Sequence, residues 1–399
     1  MTQRLLCWLS ILVFITVLTA HAGTVPAPRK RIALIVDSWY PVSHADVIGT
    51  RFLEGYRVGE KAYASPLTVA SVFADTPRPN DSTRALSVRY GFRIATSVAD
   101  ALLEDVGSPT PRLAVDGVLI ATREDVPGSG QRQSATTRLQ IMREILQIFD
   151  RTGTRVPIFL DKMLAAQWQD AEAIVTETRR RGIPLMAGSV LGYLPLDRPV
   201  QTGRLNVAVV AASTPYWAFA FHAAELLQSY MEQRATHETG IREIREVGPA
   251  YWSMPDRNRW GGSVLDALLA SARTRERHPV ASYAPEAHVL LIQYLDGARA
   301  VLVLIPRVFS DSEFLLGAQL ADGTTGIGGV VLPRAPYDHF GYLVHALAEL
   351  YTAGRPPIPA ERALLTTGLV LFGQRALQTG SVVATSSLGI SYASPRSRP

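Results

Sequence analysis

The sequence predicts an α/β protein in two parts: an N-terminal Rossmann-like, doubly wound parallel sheet and a C-terminal α+β domain with a mainly antiparallel sheet. Three observations carry this. Apolar strand-like runs alternate with helix-length segments through the first half of the chain. From about residue 205 that alternation gives way to runs of strands, two of them flanking Asp296-Gly297. The length, 399 residues, suits two domains rather than one.

In the first half, Ile32 to Val36 is a continuous apolar run, the pattern of a strand buried on both faces. A helix is expected over 47–58 and a second strand over 67–73, closed by Asp75. A helix over 82–90, a short strand over 92–96 and a helix over 98–104 follow. Then come a strand over 115–121, a helix over 136–151, a strand over 156–160, a helix over 165–181 and a strand over 184–186. Strands alternating with helices of this length imply a parallel sheet covered on both faces. In the second half, 205–212, 241–247, 288–294, 298–305 and 313–321 read as strands, with helices over 217–234, 262–273, 338–352 and 360–377. Asp296-Gly297 is a type I′ hairpin signal, and strands joined by hairpins make an antiparallel sheet.

The ends carry other messages. Arg4, the apolar stretch from Leu5 to Ala20 and Ala20-His21-Ala22 form a secretory signal with its cleavage pattern, expected to leave before Gly23. About 16 apolar residues fall short of the roughly 20 that span a bilayer, so no stable membrane span is expected after cleavage. The chain is therefore expected to be exported, periplasmic or extracellular, by the Sec-type route. The expected division is signal 1–22, linker 23–30, Rossmann-like domain 31–190, α+β substrate and oligomerisation domain 191–393, and disordered tail 394–399. Cys7, the only cysteine, lies in the signal, which leaves no disulfide, thiol nucleophile or cysteine metal ligand. The net charge of +5 is modest and scattered, so nucleic acid is not an expected partner. Neither H-E-x-x-H nor G-x-S-x-G occurs, and no metal is predicted. Only three of the 40 basic residues are lysines (Lys30, Lys61 and Lys162), which draws attention to each.

The order of several blocks resembles the Gfo/Idh/MocA family of glucose–fructose oxidoreductases and inositol dehydrogenases. The blocks are the strand Ile32 to Val36; Val69 to Asp75; Arg84 to Leu102; Val115-Asp116-Gly117-Val118-Leu119-Ile120-Ala121-Thr122; Asp161-Lys162-Met163, where the family carries Glu-Lys-Pro; and His222, where it carries a substrate-facing histidine. The resemblance spans nearly the whole mature chain. It implies a sugar or polyol substrate, NAD(P)-linked oxidoreduction, and Lys162 and His222 as the proton-handling pair. It also implies pairing of copies through an uncovered face of the C-terminal sheet.

The chain departs from the family pattern at three places. Counted back from His44, the glycines of the phosphate loop fall on Val36, Ser38 and Pro41. A side chain at position 38 crowds a pyrophosphate, and Pro41 has no N–H to donate. Met163 replaces proline, and Ala218 stands where family dehydrogenases carry an acid. NAD(P) is thus the cofactor that the resemblance implies, without its usual cradle. Elimination or isomerisation beside a carbonyl, and sugar binding without turnover, are the other functions open at this point.

Each candidate residue has two readings. Lys162 either polarises a sugar hydroxyl at the end of its strand or is a surface lysine paired with Asp161. His222 is an acid/base or a core histidine bonded to Glu225. His44, beside Ser43 and Asp46, contacts a ligand anion or caps the first helix. Ser38, His44 and Asp75 are the cofactor-side candidates, Asp75 at the ribose-hydroxyl position. Asp161, Glu225 and His339 are the substrate-side candidates, with Asp338-His339 also readable as a helix cap. Gly128-Ser129-Gly130 is placed for a lid.

Overall fold

The computed structural model describes residues 29–123, 135–276 and 278–395. The signal, most of the linker, Gly128-Ser129-Gly130 and residues 396–399 of the tail lie outside them.

The first sheet is built from β1 (Lys30–Val36), β4 (Leu67–Ala74), β5 (Arg93–Ala95), β6 (Gly117–Ala121), β7 (Ile158–Asp161) and β8 (Leu185–Gly188). All its neighbours pair in parallel, in the order β5-β4-β1-β6-β7-β8. Every residue from Ile32 to Val36 is fully buried, as a central strand between two helical layers must be. Helices α2 (Thr83–Tyr90), α3 (Val98–Leu102), α4 (Arg138–Thr152) and α5 (Trp168–Arg180) connect the strands. α4 starts with a capping box in which Thr137 and Gln140 satisfy each other's backbone N–H, and it stops at Gly153 in a left-handed conformation. The strand order reverses between β1 and β6, and in such sheets ligands bind in the crevice at that reversal.

The segment expected as one helix over 47–58 is instead three pieces. A π-helical turn, Ala45–Gly49, leads into α1 (Thr50–Glu54), and Gly55 then releases the chain into a hairpin, β2 (Tyr56–Val58) with β3 (Lys61–Tyr63). Gly55 takes a φ of 90°, which an L side chain adopts only under strain, and this ends the helix early.

The second sheet contains β9 (Leu205–Ala212), β11 (Ile241–Glu246), β12 (His288–Tyr294), β13 (Arg299–Leu304), β14 (Glu313–Leu320), β15 (Thr325–Val331) and β16 (Val383–Ala384), in the order β15-β14-β9-β13-β12-β11-β16. Only the β9–β13 junction is parallel. A separate pair, β10 (His237–Glu238) with β17 (Tyr392–Ala393), ties down the C-terminal segment. The turn at Asp296-Gly297 differs from type I′. Gly297 N–H donates to Tyr294 O, so Leu295 and Asp296 are the central residues, yet only Gly297 has a positive φ. This is the longer hairpin in which a left-handed glycine follows the turn.

α6 (Tyr216–Met231) and α10 (Ala360–Thr379) cover one face of this sheet. The other face is covered by the chain itself. Val207, Val209, Leu291, Val301 and Val303 pack against Val264, Leu265 and Leu268 of α7 (Gly262–Ser271), with Tyr251, Trp260 and Tyr283 beside them. Tyr283 ends the short α8 (Val280–Tyr283). Among the described residues, the face on which pairing of copies was expected is therefore not left open. The irregular stretch 248–260 and α7 cover it.

α9 (Phe340–Ala353) comes late in the chain but packs on the parallel sheet. Tyr351 Oη donates to Val118 O at 2.8 Å, and a Cβ on Gly117 would lie 2.3 Å from the Tyr351 ring. Among the described residues, no helix is long and apolar enough to cross a membrane. Gly117→Ala should lower the unfolding free energy by about 1–3 kcal/mol through overpacking. Gly203→Ala, whose added carbon meets only ordinary contacts, should change little; urea unfolding of both variants checks this.

Candidate functional site

A cleft of about 410 Å³ opens at the carboxyl ends of β1, β6 and β7, opposite the first turns of α6. Lys162, His222, Asp161 and His44 all line it. Four residues drawn from three distant parts of the sequence thus meet at the reversal point of the parallel sheet.

The floor is the end of β7. Asp161 is its last residue and is buried, while Lys162 turns the chain with a φ of 69°. A non-glycine residue there costs on the order of 1–3 kcal/mol and persists only where its surroundings hold it. Here the Lys162 amide donates to Gly188 O at 2.8 Å, which ties the turn to the end of β8. Gly188 is itself constrained, because a Cβ would stand 2.5 Å from Glu225 Oε2.

His44 Nδ1 lies 2.8 Å from Asp161 Oδ2. Burial alone would raise the Asp161 pKa, but His44, Lys162 and Arg138 outweigh it and hold the carboxylate at about 2. Lys162 is only partly exposed, and burial lowers its pKa, with Arg138 and Arg123 adding to the effect and Asp161 opposing it. Burial, followed by the charge of Lys162, pushes His222 down to about 3, so its imidazole is neutral near neutral pH. Asp161 Oδ1 and His222 Nδ1 are buried without a hydrogen-bond partner among the described residues, and His44 Nδ1, although at ion-pair distance from Asp161 Oδ2, is not aligned for a hydrogen bond to it. Unpaired buried atoms of this kind are rare in folded proteins and call for an explanation.

Other residues build the walls. Arg138 donates to Thr122 O at 2.5 Å and to Met163 O, lacing together the ends of β6 and β7. Arg123 pairs with Asp37 (Nε to Oδ2, 3.2 Å) and donates to the Tyr40 hydroxyl. The Arg78 guanidinium sits 4.6 Å from the Tyr40 ring centre. Trp217 faces the cleft from α6. Sequence reasoning singled out none of Asp37, Tyr40, Arg123, Arg138 and Trp217 as site residues. A signal for Arg138 existed: it falls on the apolar stripe of α4 with Ile141, Met142 and Ile145, where an arginine must find buried acceptors.

The remaining candidates lie elsewhere. Glu225 is buried behind the cleft, accepting from Thr366 Oγ1 at 2.8 Å and from the Ser189 amide at 3.2 Å, with Arg362 nearby. It serves packing between α6, α10 and the turn after β8, not the ligand wall or His222. Asp75 accepts from the Thr136 hydroxyl (2.7 Å) and amide (3.0 Å), fastening the approach to α4. His339 precedes α9 without capping it through its side chain; it packs on Phe340, and burial, with Arg51 and His44, lowers its pKa to about 4. It does not line the cleft. His44 does not cap the first helix either, because the oxygen that accepts the Asp46 amide there belongs to Ser43.

Ser38 is fully buried and bonded to Asp81 (2.7 Å). This bond is part of a closed turn. The Trp39 amide donates to Asp81 Oδ2 (2.7 Å), the Tyr40 amide to Ser43 Oγ (3.2 Å), and the Val42 amide to Asp46 Oδ2 (2.9 Å). The Ser43 amide donates to Tyr40 O, and Pro41 has no amide hydrogen. The Trp39 indole fills the space below the turn, stacked on Phe92 at 5.9 Å, and a Cβ on Gly49 would meet it at 2.6 Å. A pyrophosphate needs free amides and positive potential at this turn. It would find spent amides and two carboxylates, so a dinucleotide held by this turn does not fit. Among the described residues, no cluster of three or more His, Cys, Asp or Glu is placed to hold a metal.

Comparison with solved structures agrees with the architecture. GenD2 from gentamicin A biosynthesis, in complex with NAD, superposes with a TM-score of 0.57 at 15% identity, over 91% of this chain and 98% of that one. The chain has the fold of the Gfo/Idh/MocA-type dehydrogenases. A myo-inositol 2-dehydrogenase from Lactobacillus plantarum gives 0.56 at 8% identity, over 89% of this chain and 99% of that one. A scyllo-inositol dehydrogenase from Lactobacillus casei, with bound NAD(H) and scyllo-inositol, gives 0.55 at 11%, over 89% and 98%. No family model matches the sequence, and neither does any curated protein. At these identities the likeness establishes the fold. With the β1 turn closed, calorimetric titration with NAD⁺, NADH, NADP⁺ and NADPH should give no saturable heat up to about 1 mM.

Proposed function

We propose that this chain binds a sugar or polyol in the cleft and performs acid–base chemistry on it at Lys162, with no dinucleotide. The single observation behind this reading is Lys162 itself. It sits in a left-handed turn at the cleft floor, beside a buried carboxylate, with its pKa lowered by burial. Strained, desolvated lysines of this kind suit proton transfer.

The walls suit a polyhydroxylated ligand. Asp37 and Asp161 offer acceptors, the neutral His222 either donates or accepts, and Tyr40 and Trp217 present ring surface from different walls. With its pKa at about 3, His222 is a weak base, and its role is to orient a hydroxyl or carbonyl. The reaction class is elimination or isomerisation beside a carbonyl. A proton leaves the carbon next to the carbonyl, the electron pair moves toward the carbonyl oxygen, and Lys162 stabilises the charge that forms there.

The dehydrogenase fold favours a second reading, nicotinamide-linked oxidation of the same class of substrate, because the solved structures that resemble the chain include dehydrogenases with NAD. The β1 turn argues against it. Export of the mature chain, supported by the N-terminal signal, is part of the proposal, and N-terminal sequencing of the secreted protein should begin at Gly23.

Binding should be read by thermal shift with myo-inositol, scyllo-inositol, 2-keto-myo-inositol and D-fructose. Trp217→Ala should weaken binding about 10-fold, equivalent to about 1.4 kcal/mol. Lys162→Met should keep binding and lower turnover by about 10²–10⁴-fold. Binding without turnover in the unmodified chain would mark a binding protein, and a response that requires NAD(P) would restore the oxidoreductase.

A further inference from the structure

His44 and Asp161 meet in a way that neither a helix cap nor a surface ion pair explains. His44 opens the π-helical turn Ala45–Gly49, but Ser43 supplies the oxygen that accepts the turn's free amide. The imidazole is thus released from the backbone and crosses to the end of β7, where Nδ1 stands 2.8 Å from Asp161 Oδ2. Phe340 packs its ring edge-on at 5.4 Å and fixes its plane. About a quarter of the His44 side chain remains exposed, and both residues line the cleft.

We propose that His44 is the general base of this cleft and that Asp161 is its positioning residue, acting on an α-hydroxy ketone or α-hydroxy aldehyde. This deepens the reading above and rests on it for the ligand class. The contact is not aligned as a hydrogen bond, but an ionised carboxylate at this distance favours the proton on Nδ1 and leaves the Nε2 lone pair for the ligand. His44 Nε2 then takes the proton from the hydroxyl-bearing carbon next to the carbonyl. The C–H pair forms a carbon–carbon double bond, and the carbonyl pair moves to oxygen as an enediolate beside the Lys162 ammonium. Return of the proton to the former carbonyl carbon, with a hydroxyl proton passing between the two oxygens, moves the carbonyl by one position. Return to the same carbon leaves the ligand unchanged except for solvent exchange. No oxidant or reductant takes part.

The groups facing His44 fit this role. Burial lowers its pKa, Asp161 opposes that, and Lys162 and Arg138 add to it, so the ring is neutral near neutral pH. His222 and His339 also feel its charge, and burial drives both of their pKa values down, to about 3 and about 4. Of the three histidines, His44 alone combines a carboxylate partner at ion-pair distance with a place on the cleft wall.

The test uses the full mature chain and two ketone probes, 2-keto-myo-inositol and D-fructose. Proton NMR in D₂O follows loss of the α-proton signal, and imidazole nitrogen NMR reports the His44 tautomer without ligand. Near neutral pH, His44 should be neutral, protonated on Nδ1 and bare on Nε2. The unmodified chain should exchange the α-proton of a bound ketone. His44→Gln should slow exchange by at least about 10²-fold with binding retained. Asp161→Asn, which keeps the size of the partner but offers its Nδ2–H₂ to the ring, should invert the tautomer and slow exchange while binding persists. A proton on His44 Nε2 in the unmodified chain, a bound ketone that does not exchange, or exchange undiminished in His44→Gln would each overturn the proposal. If neither ketone binds, the ligand class of the preceding section fails, and the tautomer alone decides whether the base is assembled.

Discussion

A buried carboxylate must have its charge answered, and much of the cleft follows from how Asp161 is answered. It ends β7 inside the protein, where an isolated charge is costly to keep. His44 approaches from the β1 side, Lys162 adjoins it along the chain, and Arg138 reaches the same corner from α4. Each of these groups is fixed by something else. Gly188 O takes the Lys162 amide, Thr122 O and Met163 O take Arg138, and Phe340 holds the ring of His44. The outcome is a buried carboxylate kept ionised by the basic groups around it. Glu225 supports it from behind by excluding any side chain at Gly188.

The same economy of charge accounts for the turn after β1. Where a nucleotide-binding scaffold leaves amides for an external anion, this chain supplies its own anions, Asp81 and Asp46. Hydrogen bonds from Ser38, Thr83 and the Trp39 amide overcome the effect of burial and keep Asp81 ionised below its usual range. Trp39 then occupies the volume beneath. Carboxylate and indole together make this turn self-contained.

The alternation of apolar runs made the parallel sheet legible in the sequence, since strands such as Ile32 to Val36 are buried on both sides and cannot be mistaken for an amphipathic surface. Lys162 and His222 could be picked out by position, one at a strand end and the other in an aromatic helix start, and both reach the cleft. Other features depended on contacts that no local pattern records. The run from Thr325 to Val331 carries three glycines and no clean alternation of apolar and polar residues, so nothing local marks it as β15; pairing with β14 makes it a strand. The role of Glu225 rested on Thr366 and Arg362, more than a hundred residues away. The partnership of His44 with Asp161 likewise joins the carboxyl ends of β1 and β7, which are distant in sequence.

The cover over the C-terminal sheet has a consequence in mass-action terms. Because Val264, Leu265 and Leu268 come from the same chain as the strands they shield, that layer of the core forms in a unimolecular step. Its burial carries no concentration term, so dilution does not expose it. A scaffold that leaves such a sheet to be completed by a second molecule stays whole only above some threshold of abundance. This one carries its own lid for the sheet wherever, and however sparsely, it is found.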